Sequence, residues 1–145
     1  MIKIRLMESR DISQIADLEK ICFSDPWSEK SIASELENPL SCWLVSVDNN
    51  RVLGYIGSQT VLDGADMMNV AVSPDFRNQG IGGNLIKELI TLVKEKGAVC
   101  LMLEVRASNK NAIHLYERNG FIQVGRRPGY YRNPKEDALI MRKEW

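Results

Sequence analysis

Histidine is almost missing from this chain. His114 is the only one in 145 residues. One imidazole cannot build a histidine-rich metal site, and no Ser/His/Asp grouping gathers around it, so no metal is expected. His114 also falls off the apolar stripe of its segment, which predicts a solvated side chain. Cysteine is sparse. Cys22, Cys42 and Cys100 lie in apolar surroundings without C-x-x-C spacing. That pattern reads as reduced core thiols and fits a cytoplasmic location. No apolar run approaches the roughly 20 residues of a membrane span. The first residues, MIKIRLMESRD, lack the long apolar centre of a signal peptide. Charge of one sign is not in excess, because 19 Lys and Arg balance 19 Asp and Glu. Nothing therefore suggests electrostatic capture by nucleic acid or by an anionic membrane. Repeats, low-complexity tracts and linkers are also absent, so a single domain over residues 1–145 is expected.

What is present is a regular alternation of short apolar runs. Hydrophobic residues make up 44% of the chain, enough for a proper core. Ile2 to Met7 alternates apolar and charged residues and reads as a strand. Ser9 to Asp11 supplies helix-cap residues, and a helical stripe follows through Ile12, Ile15, Ala16, Leu18 and Ile21 to Phe23. Ser24-Asp25-Pro26-Trp27-Ser28 breaks it, and Glu29 to Glu37 reads as a second short helix. Cys42 to Val47, Arg51 to Val61 and Ala65 to Val72 read as antiparallel strands joined at Asp48-Asn49-Asn50 and Asp63-Gly64. A long helix follows, ending near Lys96-Gly97. Ala98 to Val105 is apolar on both alternations, which predicts a strand covered on both faces and parallel to its predecessor. Lys110 to Asn119 is a helix, Phe121 to Arg126 a strand, Arg127 to Lys135 a loop and Asp137 to Arg142 a last strand. The order β-α-α-β-β-β-α-β-α-β-β predicts an α/β domain with a mixed sheet.

The chain is organised around Asn69 to Val93. A buried strand runs into Ser73-Pro74, then a glycine-rich loop, Arg77-Asn78-Gln79-Gly80-Ile81-Gly82-Gly83, then the long helix. Ile81, Leu85, Leu89 and Val93 recur every fourth residue, and Ile86 and Ile90 widen the stripe. The glycines sit where that helix begins, where the first N–H groups have no intrahelical partner and the dipole is positive. Without side chains, Gly80, Gly82 and Gly83 would let a phosphate or pyrophosphate approach those N–H groups. Plain loop chemistry would leave the same trace. No Gly-Lys-Ser/Thr follows, so this is not a Walker A loop. Five residues, Ser73 to Arg77, separate Val72 from the loop, which does not suit a dinucleotide fingerprint.

Two further residues stand out. Glu104 interrupts a strand that otherwise reads as buried, and an unpartnered buried carboxylate is costly. It could mark the strand's exposed end, pair with Arg106, or serve as a general base. Tyr116 lies near Ala112, Ile113 and Leu115 on the following helix. It could be a core tyrosine, or a phenol whose hydroxyl faces a cleft and donates a proton. Trp27 reads as a core anchor. The Arg126-Arg127 pair reads as a solvated turn.

Together these residues resemble the GNAT superfamily of acetyl-CoA-dependent N-acetyltransferases. The family motif Arg/Gln-x-x-Gly-x-Gly/Ala matches Arg77 to Gly82, after the approach Val72-Ser73-Pro74-Asp75-Phe76-Arg77. The signature N-x-x-A-x-x-L-Y-x-x-x-G-F matches Asn109 to Phe121. Pro26-Trp27-Ser28, Leu103 to Asn109, Tyr130-Tyr131 and Glu136-Asp137-Ala138 look like the branch acting on the N-terminal alanine of a small-subunit ribosomal protein. The resemblance implies a mixed sheet of about seven strands, helices on both faces and a splayed parallel pair holding acetyl-CoA. It implies that Val70, Ala71 and Val72 offer backbone groups to the acetyl and pantetheine arm. Arg77, Asn78, Gln79, Gly80, Ile81, Gly82 and Gly83 would hold the pyrophosphate, and Asn109 would contact the cofactor. Glu104 is expected as base, Tyr116 as acid, and the Trp27 and Tyr130-Tyr131 loops as walls of a peptide groove. A small-molecule acetyltransferase, or a CoA-binding module without catalysis, would share the cofactor residues.

Overall fold

The computed structural model describes all 145 residues. The strands are β1 (Ile2–Leu6), β2 (Ser41–Asp48), β3 (Arg51–Val61), β4 (Gly64–Val72), β5 (Cys100–Arg106), β6 (Ile122–Tyr131) and β7 (Glu136–Glu144). The helices are α1 (Ile12–Cys22), α2 (Glu29–Glu37), α3 (Ile81–Glu95) and α4 (Lys110–Arg118). Their order is the one the hydrophobic periodicity predicts.

Helices cover both faces of one mixed sheet. On one face, Ile81, Leu85, Ile86, Leu89, Ile90 and Val93 of α3 are buried together with Leu44, Leu53, Ile56, Leu101, Leu103 and Val105. Each such side chain contributes about 1.5–3 kcal/mol on burial. Gly82 and Gly83 in the first turn of α3 cost about 1 kcal/mol each in helix propensity. Packing therefore decides that α3 is a helix. On the other face, Ile15, Ala16, Leu18 and Ile32 of α1 and α2 pack with Trp43, Val45, Val47, Val52 and Tyr55.

The seven strands lie in the order β1-β2-β3-β4-β5-β7-β6, and β4–β5 is the only parallel neighbour pair. That pairing is short. Gly64, Ala65 and Asp66 oppose Cys100, Leu101 and Met102, and there it stops. The β3–β4 register slips between Gly57 and Ser58: Asn69 faces Gly57 and Met67 faces Ser58, leaving Met68 as an extra residue. Such a bulge bends a strand, and it sits where β4 turns away from β5. β5 meanwhile stays paired with β7 through Arg106. The sheet therefore splits toward the C-terminal ends of β4 and β5.

Two expectations are corrected. β5 is not covered on both faces: Leu101, Leu103 and Val105 are buried, while Met102, Glu104 and Arg106 are only half-buried on the other face. The segment from Arg127 is not a loop until Lys135, because β6 continues to Tyr131. Pro128 has no N–H to give a ladder and Gly129 has a φ of 61°, so the pairing is irregular between Arg127 and Tyr131. Asp137 repairs the gap: its carboxylate accepts the Gly129 N–H at 2.8 Å and pairs with Arg126 at 2.8 Å. These bonds hold the Asp137 carboxyl below the usual carboxylate range.

Candidate active site

The split between β4 and β5 leaves strand edge inside the sheet. From Met67 onward β4 has no partner on its β5 side. Val70, Ala71 and Val72 lie on this stretch, so the backbone on that side is free to meet a ligand. Arg77 reaches back to this stretch, donating from Nε to the Val72 carbonyl at 3.2 Å, while its Nη2 lies 3.5 Å from Cys22 Sγ. Its guanidinium thus braces the end of β4. Cys22 is only half-buried, unlike Cys42 and Cys100, which sit in the core.

The glycine-rich loop opens onto the same split. Asn78 and Gly80 both adopt positive φ, 63° and 79°. Gly80 is the N-cap of α3, and no side chain caps the helix. Asn84 N–H already donates to the Gly80 carbonyl at 3.0 Å, so the unpaired donors are the earlier ones in the first turn. Those N–H groups and the dipole fit a diphosphate. Gly80 and Gly82, however, differ in their surroundings. A Cβ at Gly80 would meet nothing within 4 Å. One at Gly82 would lie 3.2 Å from Leu115 Cδ2. Gly82 is buried, so its missing side chain lets α3 pack closely on α4. Asn109 is the N-cap of α4 and its side-chain oxygen accepts the Ala112 N–H at 3.2 Å, which leaves its amide nitrogen free for a ligand.

Glu104 and Tyr116 lie on opposite faces of the sheet. Leu103 and Val105 point into the core formed with α3 and α4, so Glu104 between them points to the α1–α2 side. Its partner is Arg127, with Nε 2.7 Å from Oε2, and not Arg106. Arg127 is therefore more than part of a solvated turn. Tyr116 belongs to the α3–α4 core, edge-on to Phe121 at 5.8 Å between ring centroids. Its hydroxyl has no hydrogen-bond partner within the protein. Burial, with a smaller contribution from Tyr131, pushes the Tyr116 phenol well above its ordinary value, so it stays protonated at neutral pH. Tyr131 interacts electrostatically with both groups. Its phenol is pushed up to about 12 by burial, by Glu104 and by Tyr130.

The remaining predicted residues line the α1–α2 side. Trp27 is partly buried, edge-on to Trp43 at 5.5 Å. Tyr130 is half exposed and stands edge-on to Tyr131 at 5.1 Å. Sequence reasoning missed Glu19. It is fully buried and accepts hydrogen bonds from the Tyr55 hydroxyl, from Asn69 Nδ2 at 2.9 Å and from the Trp27 N–H at 2.9 Å. A signal existed, because Glu19 falls four residues after Ile15 on the apolar stripe of α1. His114 is exposed, as its position off the stripe implies.

Residues 12–121 match the acetyltransferase (GNAT) family. The chain belongs to that family. The ribosomal protein bS18-alanine N-acetyltransferase of Escherichia coli (strain K12) is 39% identical over 144 residues, covering 97% of this chain and 96% of that one. A crystal structure of the ribosomal-protein-S18-alanine N-acetyltransferase from Escherichia coli superposes with a TM-score of 0.90 at 36% identity, over 99% of this chain and 94% of the other. Arabidopsis thaliana NAA60, solved in complex with acetyl-CoA, reaches a TM-score of 0.91 at 18% identity, over 99% and 98% of the two chains, a likeness of fold. No helix is long and apolar enough to cross a membrane.

Proposed function

We propose that this protein is one acetyltransferase domain that moves the acetyl group of acetyl-CoA to the N-terminal α-amino group of a protein. The acceptor is the N-terminal alanine of a small-subunit ribosomal protein, met in the cytoplasm. The observation that carries the reading is 39% identity, over nearly the whole of both chains, to an enzyme named for that reaction.

Acetyl-CoA supplies the acetyl group as a thioester. The free N–H groups at the start of α3 hold its diphosphate, and the unpaired edge at Val70, Ala71 and Val72 steers the arm into the split. An α-amino group has a pKa of about 7.7–8.0, so near neutral pH it arrives mostly protonated. Removing that proton costs only about 1 kcal/mol, and a positioned carboxylate is adequate. Glu104 takes it, directly or through one water. The neutral amine forms the new C–N bond at the thioester carbon while an N–H near Val72 steadies the carbonyl oxygen. The C–S bond breaks as Tyr116 gives its proton to the leaving sulfur, and the second proton shed by the attacking nitrogen returns through solvent to the phenol. Trp27, Tyr130 and Tyr131 form the walls against which the first residues of the acceptor lie. A lysine side chain, with a pKa of about 10.4, would ask far more of the base.

The test is acetyl transfer to short peptides beginning with alanine or another residue, to peptides whose only amine is a lysine, and to small amines, read by mass spectrometry. Selective acetylation at an N-terminal alanine is expected. Acetylation of small amines alone would replace this reading with the small-molecule one, and no transfer at all would leave a CoA-binding module.

A further inference from the structure

β5 ends on Arg106, two residues beyond Glu104 and on the same face of the sheet. Its guanidinium is 22% exposed and serves three segments at once. Nη1 donates to the Pro134 carbonyl at 2.9 Å and Nη2 to the Arg132 carbonyl at 2.9 Å, both in the turn between β6 and β7. Nη2 also donates to Ser24 Oγ at 3.2 Å, in the segment between α1 and α2. Glu136 Oε1 lies 3.5 Å away, and the guanidinium sits over the Tyr131 ring at 4.5 Å. Asn133 and Asp25 add a direct contact between the two segments at 3.4 Å.

The α1–α2 segment also has a hold on the other lip of the split. Glu19, which binds the Trp27 N–H, accepts from Asn69 of β4. The segment therefore spans the gap: it is fixed to β4 through Glu19 and to β5 through Arg106. The β6–β7 turn is fastened to the same guanidinium. Only a planar fork with five donors can serve acceptors in these directions while its face lies on an aromatic ring. An ammonium could keep the pairing with Glu136 but not the rest.

We propose that Arg106 is a positioning residue for the acceptor: it clasps the Trp27 segment to the Tyr130-Tyr131 hairpin across the mouth of the split and so sets the width of the groove beside Glu104. It touches neither the reacting amine nor the thioester. This inference rests on the acetyl-transfer reading above. The clasp lies on the α1–α2 side, whereas the diphosphate seat lies at the start of α3, so loosening it misplaces the acceptor and leaves acetyl-CoA where it was.

The experiment is steady-state kinetics of the full chain and its Arg106→Ala and Arg106→Lys variants, on a peptide that the wild type acetylates, with thermal melts of each. Arg106→Ala is expected to raise KM for peptide about 10- to 100-fold and to leave KM for acetyl-CoA within about twofold. Millimolar guanidinium chloride, but not equal sodium chloride, should recover part of the loss in Arg106→Ala and none in the wild type. Arg106→Lys should remain impaired. An unchanged peptide KM, a parallel rise in both KM values, or failure of guanidinium to recover activity would overturn the proposal. If Arg106→Ala does not fold, the double variant Ser24→Ala with Asn133→Ala carries the test, since both side chains lie at exposed contacts. A peptide KM equal to wild type in that variant would equally refute the clasp. A wild type that acetylates no peptide is a different outcome and refutes the acetyl-transfer reading itself.

Discussion

Arg127 Nε lies 2.7 Å from Glu104 Oε2, so the carboxylate beside the split is already paired with a cation before any amine arrives. The two side chains are 58% and 32% exposed, respectively. An ion pair that open is worth about 0–1 kcal/mol. An incoming ammonium can therefore displace the guanidinium at little cost. Arg127→Ala should shift the melting temperature by no more than a few degrees and change kcat/KM for peptide less than about tenfold, as one kcal/mol allows. A loss as large as that of a Glu104 variant would mean that Arg127 belongs to the catalytic machinery.

Glu104→Gln keeps the shape and removes the base. We expect kcat to fall about 100-fold or more at pH 7. Part of the loss should return as pH rises past about 8, where the acceptor amine is already neutral. A pH–rate profile parallel to that of the wild type would count against proton abstraction by Glu104.

Tyr116→Phe retains the ring that packs on Phe121. The hydroxyl it removes has no protein partner, so the melting temperature should hardly move. Turnover should drop about 100-fold or more if the phenol is the acid. An unchanged kcat would return Tyr116 to a purely packing role.

Gly80 and Gly82 should respond differently to alanine. Gly80 has a φ of 79° and open space around it, so Gly80→Ala costs only the left-handed backbone, about 1–2 kcal/mol, and disturbs the N–H groups proposed to hold the diphosphate. Gly82→Ala presses on Leu115 at 3.2 Å but gains about 1 kcal/mol of helix propensity. Urea melts should show a clear loss for Gly80→Ala and little net change for Gly82→Ala. Calorimetric titration with CoA should show weaker binding in the Gly80 variant.

Acid stability should depend on Asp11. Asp11 is 1% exposed, and its carboxylate accepts two hydrogen bonds from Arg5 at 2.7 and 3.0 Å. Burial alone would raise its pKa, but the Arg5 hydrogen bonds, the Glu8 N–H and the charges of Arg5 and Arg10 outweigh that and hold it below the ordinary 3.8. A depressed folded value means stability that is present above pH 3.8 and disappears as pH falls through the lower folded value. Asp11→Asn should cost about 1.5–3 kcal/mol near neutral pH. The gap to wild type should close in melts taken at progressively lower pH below that point.

The chain's own pattern determined the order of its elements, the buried stripe of α3 and the identity of the glycine-rich loop. These depend on local periodicity and on the backbone needs of a few turn residues, and both are written in neighbouring positions. It could not tell that Gly82 faces Leu115, that Glu104 pairs with Arg127 rather than Arg106, or that β6 runs through Pro128 with Asp137 mending the ladder. Each of these joins residues from different elements, and the choice among partners depends on where the sheet splits. That split depends on a one-residue slip in the pairing of β4 with β3. Only the folded chain decides such a register, because it is set by the packing of two faces at once.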